Sequence, residues 1–178
     1  SLAELGKLGE TIPIFKRLAE HTLSLQTVNN FYVIFSGKPI GNVVFGSEVL
    51  FISTLILKQF AQDEVVRAKI VHLMLQFEVM SADEALKLMN AVERPQSCIW
   101  FLVMIELNAK LGFYNDLVSL IEKAKNSVEF DAPLAIEAIK AAQQVCDLDL
   151  LERCLAHVQE EGISSFELTT VIAKAHAS

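Results

Sequence analysis

The chain has 178 residues, enough for a domain with a real core, and 52% of them are hydrophobic against 21% charged, which excludes global disorder. That apolar excess goes beyond the needs of an isolated globule and suggests a surface covered by another subunit, or the interior of a tightly stacked array. The net charge of −7 is uneven, with seven basic and seven acidic side chains in residues 1–80 but eight and fifteen in 81–178, the opposite sign to the dense basic stripe that displaces counterions from nucleic acid.

Taken in order, residues 1–44 read as an irregular N-terminal helical cap and residues 45–178 as helical hairpins, within a single domain. Leu8–Leu25 reads as one or two helices, and Tyr32–Phe35 as buried helix despite its strand propensity. Gly37–Gly41 is a break and Phe45–Phe60 a helix. The longest strongly apolar stretch, Val49–Leu57, falls short of the about 20 residues a bilayer span needs, so no membrane span is expected. Glu64–Val79 places Val66, Ile70, Leu73 and Phe77 on one helical face. Ser81-Ala-Asp-Glu84 is a capping-box pattern opening a helix through Ala85, Leu88, Met89 and Val92, which Pro95 stops. Trp100–Lys110 is a helix ended by Gly112, and Asn115–Lys125 follows. Asp131 with Pro133 opens the next, reaching Val145. Asp147 opens another, ended by Gly162, which suits a left-handed cap. Ser164-Ser-Phe-Glu167 reads as a second capping box leading into the last helix.

A fixed period changes the expected fold, so self-similarity matters here. Sliding the C-terminal part by 34 residues aligns Gly112 with Cys146, Leu117 with Leu151, Leu120 with Cys154, Ile121 with Leu155, and Ala124 with Val158. Every pair keeps a small or apolar position. The unit Arg67–Cys98 is similar but about two residues shorter, and Glu167–Ser178 keeps Ile172 where Met104 and Ala138 fall. One hairpin cannot bury its apolar face alone, whereas stacked neighbours share a continuous core. The expected fold is all-α: a right-handed α-solenoid of stacked antiparallel helical hairpins with a period of about 34.

Pro133–Phe166, with its QQVCDLDLLERCLAHVQEEGIS stretch, resembles a pentatricopeptide repeat: an apolar first helix, an Asp-Leu turn, an apolar second-helix face and a closing Glu-Glu-Gly-Ile. Val79–Val92 resembles that family's second helix, and Glu106–Ala124 looks like helical repeats of related organellar RNA-metabolism proteins. The resemblance runs over about residues 67–178, and tetratricopeptide arrays share its apolar pattern. It implies a mitochondrial or plastid protein that binds single-stranded RNA, one base per repeat, read by two or three side chains. The places of the base-reading residues hold Ile70 with Cys98, Leu102 with Ala132, and Ile136 with Phe166. None of these reads a base edge by side-chain hydrogen bonding. Only Thr170 has a suitable side chain, as a weak RNA contact, and this departure from the family argues against sequence-specific reading.

Catalytic and ligand-binding chemistry is not expected. His21, His72, His157 and His176 are scattered, and Cys154 with His157 falls short of the four ligands of structural zinc. Helix capping accounts for at least one of Asp147 and Asp149, and the two are not expected to be a catalytic carboxylate pair. Gly37–Gly41 lacks the Walker spacing, and there is no GxSxG elbow. No metal, cofactor or small-molecule substrate is therefore expected. Cys98, Cys146 and Cys154, odd in number and without a CxxC, read as free thiols of a reducing intracellular compartment, and no signal peptide is read.

Two groups are candidates for a partner contact. Trp100 and Phe101 form the densest large-apolar cluster; they read first as core, second as an exposed anchor for a partner subunit. Asp147, Asp149 and Glu152, with Glu160 and Glu161, read as a solvated face or as one that meets a basic protein. The expected function is a non-catalytic scaffold or adaptor that binds protein subunits within a larger complex, such as the mitochondrial ribosome. The alternatives are an organellar RNA-binding repeat protein and a helical subunit of a respiratory or trafficking complex.

Overall fold

A computed structural model describes residues 2–37 and 41–177, with side chains for 5–37 and 44–177. Among the described residues there are ten α-helices and no strand. The chain divides into two compact units, Ser1–Val92 and Glu93–Ser178.

The first unit contains α1 (Leu2–Ala19), α2 (Leu25–Phe35), α3 (Gly41–Gln59), α4 (Glu64–Gln76) and α5 (Ala82–Asn90). α1 packs on α2 and α3, while α4 packs on α2, α3 and α5. Its core is aromatic. The Phe15 and Phe31 rings meet edge-on at 5.2 Å, Phe31 lies 5.1 Å from Phe35, and Phe35 lies 6.2 Å from Phe77, spacings at which ring quadrupoles attract. The α1–α2 turn is tied by Gln59, whose Nε2 donates to the Ala19 and His21 carbonyls and whose Oε1 accepts from the Leu23 N–H, each at 2.9 Å. These bonds satisfy backbone groups that a helix end leaves without partners.

Within residues 1–44, read from the sequence as an irregular helical cap, Leu2–Ala19 and Leu25–Phe35 are α-helices. Tyr32–Phe35 is helical, as expected, but only partly buried: Phe35 is enclosed while Val33 is 70% exposed. At the Gly37–Gly41 break, Gly37 takes a positive φ of 71°, and residues 38–40 lie outside the described residues.

The second unit contains α6 (Cys98–Leu111), α7 (Tyr114–Ser127), α8 (Ala132–Gln144), α9 (Leu148–Glu160) and α10 (Phe166–Ala177). α6 packs on α7 and α8, and α8 packs on α9 and α10. Ala135, Ala138, Ala141 and Ala142 of α8 are all buried, and such small side chains let neighbouring helices approach closely. Among the described residues no helix is long and apolar enough to cross a membrane.

Local geometry recurs with a common spacing. Asp63, Ser97, Asp131 and Ser165 accept from the N–H three residues on, at Val66, Trp100, Leu134 and Leu168. Each cap follows the last by 34 residues. The ends of α4, α6 and α8 recur in the same way. Glu78, Gly112 and Cys146 all have positive φ (56°, 75° and 56°), and the next N–H reaches back five residues, Val79 to Met74, Phe113 to Asn108 and Asp147 to Ala142. This is the helix-ending arrangement that satisfies the last carbonyls through one left-handed residue.

Only one of those three residues is glycine, and a side chain in the left-handed region costs about 1–2 kcal/mol. Glu78→Gly and Cys146→Gly should therefore each stabilise the chain by about 1 kcal/mol, and Gly112→Ala should destabilise it by a similar amount. A Cβ on Gly112 would meet Tyr114 no closer than 3.8 Å, so the backbone alone sets that cost. Urea midpoints of the three variants check the set; a stabilising Gly112→Ala would contradict it.

Two expectations are corrected by this register. The α10 cap is Ser165, not Ser164, which places Leu168 at the third helical position. Leucine has no carboxylate to return the bond, so no capping box forms there. By contrast the Ser81–Glu84 box is present, with both reciprocal bonds at 3.2 Å. The upstream unit is also not short as a whole. α4 starts in register with α6, and α5 alone starts two residues late and runs only nine. The counterpart of Leu102 is therefore Ala68, not Ile70, and both are fully buried.

Candidate functional site

α9 begins where Asp147 accepts from the Leu150 N–H at 2.9 Å, and it buries Leu150, Leu151, Cys154 and Val158. Gly162, with φ of 66°, turns the chain back into α10, which buries Leu168, Val171 and Ala175. Between the two helices lies an open groove of about 640 Å³. Its walls include Leu155, Ile163 and Ile172, all half-buried, with Glu152 and His176 exposed at the edge.

The sequence candidates fall in different places. Trp100 and Phe101 are 5% and 0% exposed, with rings in edge contact at 5.1 Å, so they are core and offer no exposed anchor. Asp147 is engaged as a cap. Asp149 binds Arg153 at 3.2 Å, and Arg153 also reaches Glu122 of α7 at 3.1 Å. Glu152 alone of the three acidic candidates lines the groove. Thr170 is exposed, but its hydroxyl donates to the Phe166 carbonyl at 3.1 Å. Ile121 and Leu155 align in sequence, yet the first is fully buried and the second only half-buried.

Comparison with protein-family models, curated proteins and solved structures finds no match.

Several other ionisable groups sit in packing contacts. Among the described residues no cluster of three His, Cys, Asp or Glu side chains could hold a metal ion. Burial pushes the Cys154 thiol up to about 11, where it is a poor nucleophile at neutral pH. Cys98 is raised as well, by burial first and the Asp131 charge second, and its thiol donates to the Glu129 carbonyl at 3.0 Å. His72 Nδ1 lies 2.9 Å from the Tyr32 hydroxyl, and His157 meets the Phe130 ring edge-on at 4.8 Å.

One group escaped the sequence reading. Glu137 of α8 is pushed up to about 7, by burial first and by the Glu106 charge second, with Lys140 opposing. Nothing in the local pattern marks it, because Glu106 lies on α6, far from it in sequence.

Proposed function

We propose that the chain is a non-catalytic helical-repeat scaffold, a right-handed α-solenoid of stacked hairpins that binds protein within a larger assembly. Four side-chain caps and three left-handed helix ends at a common 34-residue spacing carry this reading. Hairpins that recur in register and pack in alternation, α6 on α8 and α8 on α10, suit an extended binding surface better than an enclosed reaction site.

Charge and burial favour protein over RNA as the ligand. Leu102 and Ile136, at two of the family's base-reading places, are buried, and residues 81–178 carry seven more acidic than basic side chains. Phosphate binding needs the reverse. The likeness to pentatricopeptide repeats supports the narrower part of the proposal, an organellar ribonucleoprotein such as the mitochondrial ribosome as the assembly.

Cross-linking of the tagged chain in cells, followed by ribonuclease treatment and mass spectrometry, tests the reading. Protein partners that survive the nuclease are expected, with no tight or selective binding to mixed RNA pools at physiological salt. Sequence-selective RNA binding with a steep salt dependence would overturn it in favour of an RNA-reading repeat protein.

A further inference from the structure

We propose that Lys69 and Asn29, where α4 packs on α2, form a seat for a carboxylate of an acidic partner segment, an inference that takes its partner from the scaffold reading above. α2 carries no charged residue. On α4 the only carboxylate is Glu64 in the first turn, five positions before Lys69 and so on another side of the helix. Lys69 is half-buried, and no carboxylate among the described residues pairs with its ammonium. In the second unit, by contrast, Lys125 and Arg153 both sit on Glu122, at 3.3 and 3.1 Å. A half-buried charge without a counterion keeps part of its desolvation cost, and an incoming anion removes it.

The ammonium is nonetheless held in place. Its Nζ donates to Asn29 Oδ1 at 3.2 Å and lies 5.8 Å from the centre of the Tyr32 ring. The Tyr32 hydroxyl is in turn fixed 2.9 Å from His72 Nδ1. An ammonium has donors and no acceptor, so Asn29 turns its oxygen to Lys69 and its Nδ2 away. That Nδ2 has no acceptor among the described residues. The remaining donors of Nζ and those of Nδ2 thus flank one amide oxygen, a span that the two oxygens of a carboxylate bridge. Val33, one turn after Asn29, is 70% exposed and offers apolar contact to a neighbouring aliphatic side chain. One cation beside a neutral amide suits a single negative charge, whereas phosphate groups and polyanions call for several cations. Residues 1–80 carry equal numbers of acidic and basic side chains, so this half does not repel an acidic segment as residues 81–178 would.

Nuclear magnetic resonance on the isotope-labelled, intact 178-residue chain tests this. The probe is the end-blocked tripeptide Val-Glu-Val; its controls are Val-Gln-Val and the same peptide with phosphoserine at the centre. Signals of the Asn29 side-chain amide and the Val33 methyls are expected to shift saturably with Val-Glu-Val. Binding should be about tenfold or more tighter than with Val-Gln-Val, and weaker as salt rises. Lys69→Met should remove that preference, read at Val33. Asn29→Asp should remove it too, because its carboxylate fills the seat from within the chain. The dispersed spectrum of each variant confirms that it folds. Equal binding of the Glu and Gln peptides, no saturable shift at about 10 mM, or a preference that survives both substitutions overturns the seat. Tighter binding of the phosphoserine peptide than of Val-Glu-Val overturns the carboxylate in favour of a phosphate. The titration needs no cellular partner, so a failed seat leaves the scaffold standing. Absence of nuclease-resistant partners removes the scaffold instead.

Discussion

Phe101→Ala should destabilise the second unit by about 3–5 kcal/mol, the usual loss when a large buried ring is removed and its cavity does not collapse. Phe101 is fully buried with its ring against Trp100, and Val103, Ile105, Leu117 and Leu134 of the same unit are equally enclosed. Against a total stability of about 5–15 kcal/mol for a typical domain, that loss brings the unit close to unfolding. Trp100 is the only tryptophan, so its fluorescence in a urea titration reports on this unit directly. Phe166 supplies the contrast. It is 92% exposed, and Phe166→Ala should change the midpoint by no more than about 0.5 kcal/mol. A loss below about 1 kcal/mol at Phe101 would mean that the ring is a surface anchor after all.

Helix positions were largely legible because their stops and starts are local chemistry. Ser81 and Glu84, Asp131 with Pro133, Gly112 and Gly162 mark ends that need no knowledge of tertiary structure, and the structure places helix boundaries at each. The α10 cap was misplaced by one residue because Ser164 and Ser165 are adjacent and either can cap. The left-handed conformations of Glu78 and Cys146 were hidden for a related reason. Neither residue type announces a positive φ, and only the alignment of Cys146 with Gly112 pointed there. α3 begins at Gly41 rather than Phe45, since glycine does not forbid a first helical turn. The fate of Trp100 and Phe101 was open in the sequence because Cys98–Ile105, the first part of α6, is apolar throughout and has no polar face to orient it. The groove depends on which helix lies beside which, and a single α9 or α10 pattern does not carry that information.

Glu137→Gln should flatten a fall in stability that the unaltered chain undergoes as pH rises from about 4.5 to about 7. The Glu137 carboxyl is raised from 4.5 to about 7, by burial first and by Glu106 second, against the pull of Lys140. A carboxyl whose folded value lies above its unfolded value holds its proton in the folded state while the unfolded chain has already released it. Its stabilising contribution is therefore complete below about 4.5 and is lost as pH climbs through about 7. At about 1.4 kcal/mol per pH unit the whole limb amounts to roughly 3 kcal/mol. Glutamine keeps the neutral shape at every pH, so the variant should match the parent closely at pH 4 and exceed it by roughly 2–3 kcal/mol at pH 8. Glu106→Gln removes the second cause but not the first, and should move the limb to lower pH without abolishing it. Urea midpoints measured across that range for the three chains separate the two causes. Parallel profiles for Glu137→Gln and the parent would show that the carboxyl is hydrated and ionised in the fold, and that α8 is not closed over it.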